Sequence, residues 1–207
     1  MTGQLVLATR NAGKVGELRG ILADVLARTD TELVGMDAFP DVPDVVESGV
    51  TFDENALLKA TFAANATGLP ALADDSGLAV EVLGGAPGVF SARWSGRHGD
   101  DEANLRLLLA QIADVPDEHR AAAFVCCAAL ALPGGRTVTR HGRFEGVIVR
   151  EPRGTNGFGY DPILQVGGDT RTSAELPPAE KNAISHRAKA FAALAEVLPE
   201  YLGASGT

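Results

Sequence analysis

A chain of 207 residues is long enough for one domain with a substantial core, or one domain carrying a sub-lobe. Hydrophobic residues make up 45% and charged residues 22%, an ordinary globular balance. A formal charge of -9 disfavours a nucleic acid polymer as partner, yet leaves room for a small anion held by a few local cations.

Gln4 to Thr9 is an apolar run of strand length, followed by the turn Arg10-Asn11-Ala12-Gly13 and a helix opening at Lys14. Leu18, Ile21, Leu22, Val25 and Leu26 recur at three- and four-residue spacing and mark the buried face of that helix. Thr9, Asn11 and Lys14 thus cluster where a helix N-terminus offers N–H groups and a favourable dipole to phosphate. The Gly-x4-Gly-Lys-Ser/Thr pattern of a Walker loop is absent.

Thr31 to Met36 reads as a second strand, and Asp37 to Gly49, with Pro40, Pro43 and several acids, as a loop. Thr51-Phe52-Asp53-Glu54 is a capping box. The alanine-rich helix it opens carries Asn55 and Lys59, runs to about Thr67 and stops at Gly68-Leu69-Pro70.

Ala71 to Val80 is the centre of the chain: an apolar run meets Asp74 and Asp75, and Ser76-Gly77 predicts a turn before apolar residues resume. Adjacent strand residues face opposite ways, so one aspartate of the pair is expected to face a cleft. Acids at such a place suit a divalent cation, a proton acceptor, or both.

Gly84 to Gly88 is a glycine-rich loop, and Val89 to Trp94 reads as a short helical turn. Asp100 or Asp101 caps a helix whose stripe is Leu105, Leu108, Leu109 and Ile112. Ala121 to Leu132 and Thr137 to Val149 read as an antiparallel pair joined by Pro133-Gly134-Gly135. Cys126 and Cys127 sit in that apolar run with neither zinc-site nor disulfide spacing, so they are expected to pack as small apolar groups in a reducing compartment. Gly154 to Pro162 is a loop with Phe158 and Tyr160 among glycines, and an aromatic there suits stacking on a planar ligand. The closing helix shows Ala188, Phe191, Leu194, Ala195 and Leu198 on one face, with Ser185-His186-Arg187 at its start and a tail expected to be disordered after Leu202. His98, His119 and His141 carry no motif. With no leader before Val6 and no apolar stretch of membrane-spanning length, a cytoplasmic protein is expected, with no membrane association. Alternating strands and helices with one hairpin predict an α/β protein on a mixed sheet.

Five blocks carry a resemblance. They are Ala8-Thr9-Arg10-Asn11-Ala12-Gly13-Lys14, Phe52-Asp53-Glu54-Asn55-Ala56 with Lys59, Ala73 to Leu78, Gly157-Phe158-Gly159-Tyr160-Asp161-Pro162, and Lys181 to Arg187. In this order and over essentially the whole chain, they resemble the inosine-triphosphate pyrophosphatase family, hydrolases of non-standard purine nucleoside triphosphates. One departure is Arg10, where a glycine is usual.

The resemblance implies a single nucleotide pyrophosphatase domain over residues 1–207. Its mixed twisted sheet would be flanked by helices, with two lobes around a central cleft. A homodimer and Mg²⁺-dependent conversion of ITP, dITP or XTP to monophosphate and pyrophosphate are also implied. By position, Thr9, Arg10, Asn11, Ala12, Gly13, Lys14 and Lys59 grip the triphosphate. Glu47 and Asp75 serve the metal, and Asp75 is also the proton acceptor. Ser76, Phe158, Gly159, Tyr160, Asp161, Lys181, His186 and Arg187 contact substrate.

The chemistry of those residue types agrees. Lysines and Mg²⁺ neutralise a triphosphate that repels an incoming water. His186 and Arg187 donate, and so match the acceptor at purine position 6 that adenine lacks, while Asp161 can accept from a ring N–H. The rival readings are a Maf-like nucleotide pyrophosphatase with another base preference, and a nucleotide-binding sensor that does not hydrolyse. The acids Glu47 and Asp75 argue against the sensor, since a pure binding site gains little from carboxylates beside phosphates.

Overall fold

A computed structural model of the protein describes residues 3–203. The end of the tail expected after Leu202 lies outside them. In chain order, β1 (Gly3–Leu7) leads into α1 (Ala12–Ile21), α2 (Ala23–Arg28) and β2 (Thr31–Gly35). Then come α3 (Phe52–Thr67), β3 (Ala71–Val80), α4 (Asp101–Gln111), β4 (Ala121–Ala131), β5 (Thr137–Ile148) and β6 (Leu164–Val166). The chain closes with α5 (Pro178–Ile184), α6 (His186–Ala195) and α7 (Leu198–Leu202). The six strands form one sheet in the order β2-β1-β3-β4-β5-β6. β1 pairs parallel with β2 and β3, and β5 antiparallel with β6, so the sheet is mixed as expected.

Local chemistry sets the boundaries. Thr51 caps α3 by accepting from the Glu54 amide at 3.1 Å, and the Glu54 carboxylate reaches back to the Val50 amide at 2.6 Å. Gly68 ends α3 in the left-handed region at φ 71, where a side chain would be strained. The first helix, expected to be continuous, breaks at Leu22 into α1 and α2. The expected turn at Ser76-Gly77 does not form. β3 runs unbroken through it, with buried apolar residues on both sides. The short elements β6 and α5 carried no periodic signal long enough to read.

The described residues divide into two compact units: 3–75, 127–142 and 187–203 form the first, and 76–126 and 143–186 the second. Each has its own core. In the first, Ala56, Ala60, Ala63 and Ala64 of α3 pack on Val6, Ala71, Ala73, Cys127, Ala129 and Ala131. Small residues on both surfaces bring this helix close to the strands. In the second, Leu105, Leu108 and Ile112 pack with Leu78, Val80, Phe124, Phe144 and Tyr160. Among the described residues, no helix is long and apolar enough to cross a membrane.

Candidate active site

In the first unit, two carboxylates of one strand acquire separate partners. Asp74 is buried and accepts from Lys14 Nζ at 3.2 Å and Arg187 Nε at 3.2 Å. Burial alone would raise its pKa, but Lys14, Arg187 and Lys59 outweigh it and hold the carboxyl far below the usual range. Asp75 accepts from Asn55 Nδ2 at 3.1 Å and from Lys59 Nζ at 3.4 Å. Here burial prevails over Lys59 and Asn55, Glu47 adds to it, and the Asp75 pKa is raised.

Lys59 also donates to Glu47 Oε1 at 2.6 Å. Burial disfavours its charge, but Asp75 and Glu47 more than compensate and its pKa is raised. One ammonium group therefore touches carboxylates from a loop and from β3. That convergence on a single positive charge is an arrangement a hard cation can use, since Mg²⁺ takes a few carboxylate oxygens and keeps several waters.

Asn55, fully buried on α3, joins the two sides. Its Oδ1 accepts from the Gly49 amide at 2.8 Å while its Nδ2 serves Asp75, so the amide orientation is fixed by its partners. A Cβ at Gly49 would stand 2.7 Å from Asn55 Oδ1, so the loop after Glu47 approaches the helix only because residue 49 has no side chain. Asn55 was visible in the Phe-Asp-Glu-Asn block, but its role was not.

At the junction of β1 and α1 the helix N-terminus carries its own cap. Asn11 is the N-cap, with Oδ1 accepting from the Gly13 amide at 2.9 Å and the Lys14 amide at 3.3 Å. Two amides expected to be available to phosphate are thus already capped. Thr9 Oγ1 accepts from the Asn11 amide at 3.2 Å, and Ala12 opens the helix. The guanidinium of Arg10 turns to the acidic loop, with Nε on Asp44 Oδ1 at 3.1 Å, Nη1 on Met36 O at 3.1 Å and Nη2 on Val42 O at 2.5 Å. Arg187 has a second carboxylate nearby, Glu17 at 3.7 Å.

The second unit holds Ser76, Phe158, Gly159, Tyr160, Asp161, Lys181 and His186. Its two loop aromatics part company. Phe158 is 69% exposed, whereas Tyr160 is buried in the core and donates its hydroxyl to Ser91 O at 2.9 Å. Burial and nearby Asp101 push the Tyr160 pKa well up.

Asp161 organises the loop: it accepts from the Phe158 amide at 2.9 Å, Ser173 Oγ at 2.8 Å and Lys181 Nζ at 2.5 Å. A Cβ on Gly157 (φ 79) would collide with that carboxylate, which explains the glycine. Gly159 donates to Asp101 at 2.8 Å. Lys181 Nζ stands 5.6 Å from the Phe158 ring centroid, and His186 stacks on Phe124 at 5.2 Å. Beside Phe158 opens a cavity of about 720 Å³, with Leu105, Leu109, Asn156 and Pro162 in its walls. Ser173 and Asp101 lie outside every block that the sequence singled out.

One group thus gathers carboxylates around lysine and arginine side chains, and the other presents an exposed ring beside a lysine. Residues 5–197 match the model of the Ham1 family. A relative from Streptomyces coelicolor named dITP/XTP pyrophosphatase is 66% identical over 200 residues, covering 97% of this chain and 99% of its own. A HAM1 protein structure from Coxiella burnetii superposes with a TM-score of 0.87 at 46% identity, covering 96% of this chain and 99% of that one. A nucleoside-triphosphatase / dITP/XTP pyrophosphatase from Mycobacterium abscessus gives 0.78 at 51%, covering 95% and 99%.

Proposed function

The chain belongs to the Ham1 family, and from this we infer that it is a nucleoside-triphosphate pyrophosphatase acting on deaminated purines. It hydrolyses ITP, dITP and XTP to the nucleoside monophosphate and pyrophosphate, and so clears these nucleotides from the pool. The observation that carries the reading is the Glu47–Lys59–Asp75 cluster, two carboxylates and a cation braced by buried Asn55.

Glu47 and Asp75 would hold Mg²⁺, which supplies charge neutralisation at the phosphoryl oxygens. Lys59 and Lys14 add positive charge for the triphosphate. Asp75 takes the proton of the attacking water, held in place by Asn55 and Lys59. Asp74 is tied to Lys14 and Arg187, so it sets their positions and leaves proton transfer to its neighbour. Phe158 stacks on the base, and Asp161 with Lys181 holds the loop that presents it. His186 and Arg187 supply donor chemistry suited to the acceptor at position 6 of hypoxanthine and xanthine. The family resemblance supports a cytoplasmic homodimer.

The test is metal dependence. Turnover of ITP should vanish in EDTA and return with Mg²⁺, and Glu47→Gln should raise the Mg²⁺ needed for half-maximal rate. Full activity without metal would remove Glu47 from its role.

A further inference from the structure

Asp53, Cys127 and His141 form a second cluster, which shares no residue with the site above. One ligand atom from each lies within 4.8 Å of the other two. The β4–β5 hairpin explains why. Leu132 N donates to Arg136 O at its closed end, and Ile148 N to Arg120 O at its open end, two bonds of one antiparallel register. Stepping five residues inward from Leu132 and outward from Arg136 sets Cys127 directly opposite His141. Opposed residues share a face, and this is the face that packs Cys127, Ala129 and Ala131 against α3. The first turn of α3 brings Asp53 over the pair, and His141 Nε2 lies 2.9 Å from both Asp53 oxygens.

We propose that Asp53, Cys127 and His141 bind Zn²⁺, with water as the fourth ligand. A thiolate, an imidazole and a carboxylate are a donor set for a borderline-soft cation, and a poor one for Mg²⁺. Ligand atoms around tetrahedral zinc stand roughly 3.3–3.8 Å apart, from metal–ligand bonds of about 2.0–2.3 Å. The cluster is within about an ångström of that spacing, a distance that side-chain rotation covers. The side chains of His141 and Asp53 are 52% and 44% exposed, so the ion enters from solvent and Cys127, fully buried, forms the floor. Cys126 points to the opposite face and takes no part. The bound ion ties the hairpin to the first turn of α3, the helix that carries Asn55 and Lys59.

Cobalt is the probe that tests this. The reduced full-length protein is titrated with Co²⁺ in excess Mg²⁺, which keeps carboxylate sites occupied, and Zn²⁺ is then added. One equivalent should give a near-ultraviolet thiolate-to-cobalt band that Zn²⁺ abolishes and Cys126→Ser retains. Cys127→Ser should lack the band. If that buried change impairs folding, the surface variants carry the test. His141→Ala and Asp53→Asn should each weaken binding by more than the roughly 10–100-fold of an outer-shell change. A wild type without the band, or a band whose affinity His141→Ala leaves unchanged, would overturn the site.

Discussion

Lys59 Nζ lies 2.6 Å from Glu47 Oε1, and through this bond α3 fixes a carboxylate that belongs to an irregular loop. The same ammonium is 3.4 Å from Asp75, so its removal leaves two partly buried carboxylates facing each other. Lys59→Met should lower kcat/KM for ITP by about 10²–10³-fold, the scale seen when one preorganised electrostatic group is removed. Steady-state kinetics at saturating Mg²⁺ checks it. A loss under tenfold would mean that Lys59 only pairs the acids.

The two aspartates should separate by phenotype. Asp75→Asn removes the proton acceptor and should lower kcat by about 10²–10⁴-fold. Its charge is disfavoured by burial in the fold, so thermal stability should hold or rise. Asp74→Asn should retain more activity but lose about 3 kcal/mol of stability, since it leaves Lys14 and Arg187 without their buried partner. The Asp74 pKa is depressed in the fold, so its contribution is present above the unfolded value near 3.9 and fades as pH falls below it. Denaturant unfolding of wild type and Asp74→Asn should therefore differ fully above about pH 5 and draw together progressively as pH falls below about 4. Parallel curves would contradict the assignment.

Much of this was legible in the chain, and the rest was not for identifiable reasons. Strand alternation gave Asp74 and Asp75 different partners, and the Thr51 N-cap and the hairpin fell where local chemistry put them, although the Glu54 carboxylate bonds the Val50 amide and so does not close the expected capping box on Thr51. Asn55 as a bridge, Asp101 on Gly159 and Ser173 on Asp161 depend on tertiary placement alone. The β3 turn was misread because Ser-Gly is a turn signal only where the backbone leaves the sheet. Cys127 opposite His141 follows from a register that becomes fixed only when the hairpin closes.

Arg10 donates from three guanidinium nitrogens, and these bonds hold the loop that leads to Glu47. Arg10→Gly should raise the Mg²⁺ concentration for half-maximal activity several-fold while sparing kcat at saturating Mg²⁺. Mg²⁺ titrations at fixed ITP would show this. A raised KM for nucleotide with unchanged Mg²⁺ dependence would instead place the guanidinium on the substrate.

Phe158 is exposed, so its removal should cost stability no more than about 0.5 kcal/mol. Stacking on a base is worth about 1–3 kcal/mol by alanine substitution, so Phe158→Ala should raise KM roughly 5- to 150-fold, alike for ITP and GTP. Unchanged KM values would move the base away from this ring.

The most direct test is the product. Wild-type enzyme with Mg²⁺ and dITP, XTP or ATP, followed by phosphorus NMR, should convert dITP and XTP to monophosphate with one pyrophosphate each and leave ATP nearly untouched. Orthophosphate appearing first with accumulating diphosphate, or ATP consumed as fast as dITP, would contradict the account.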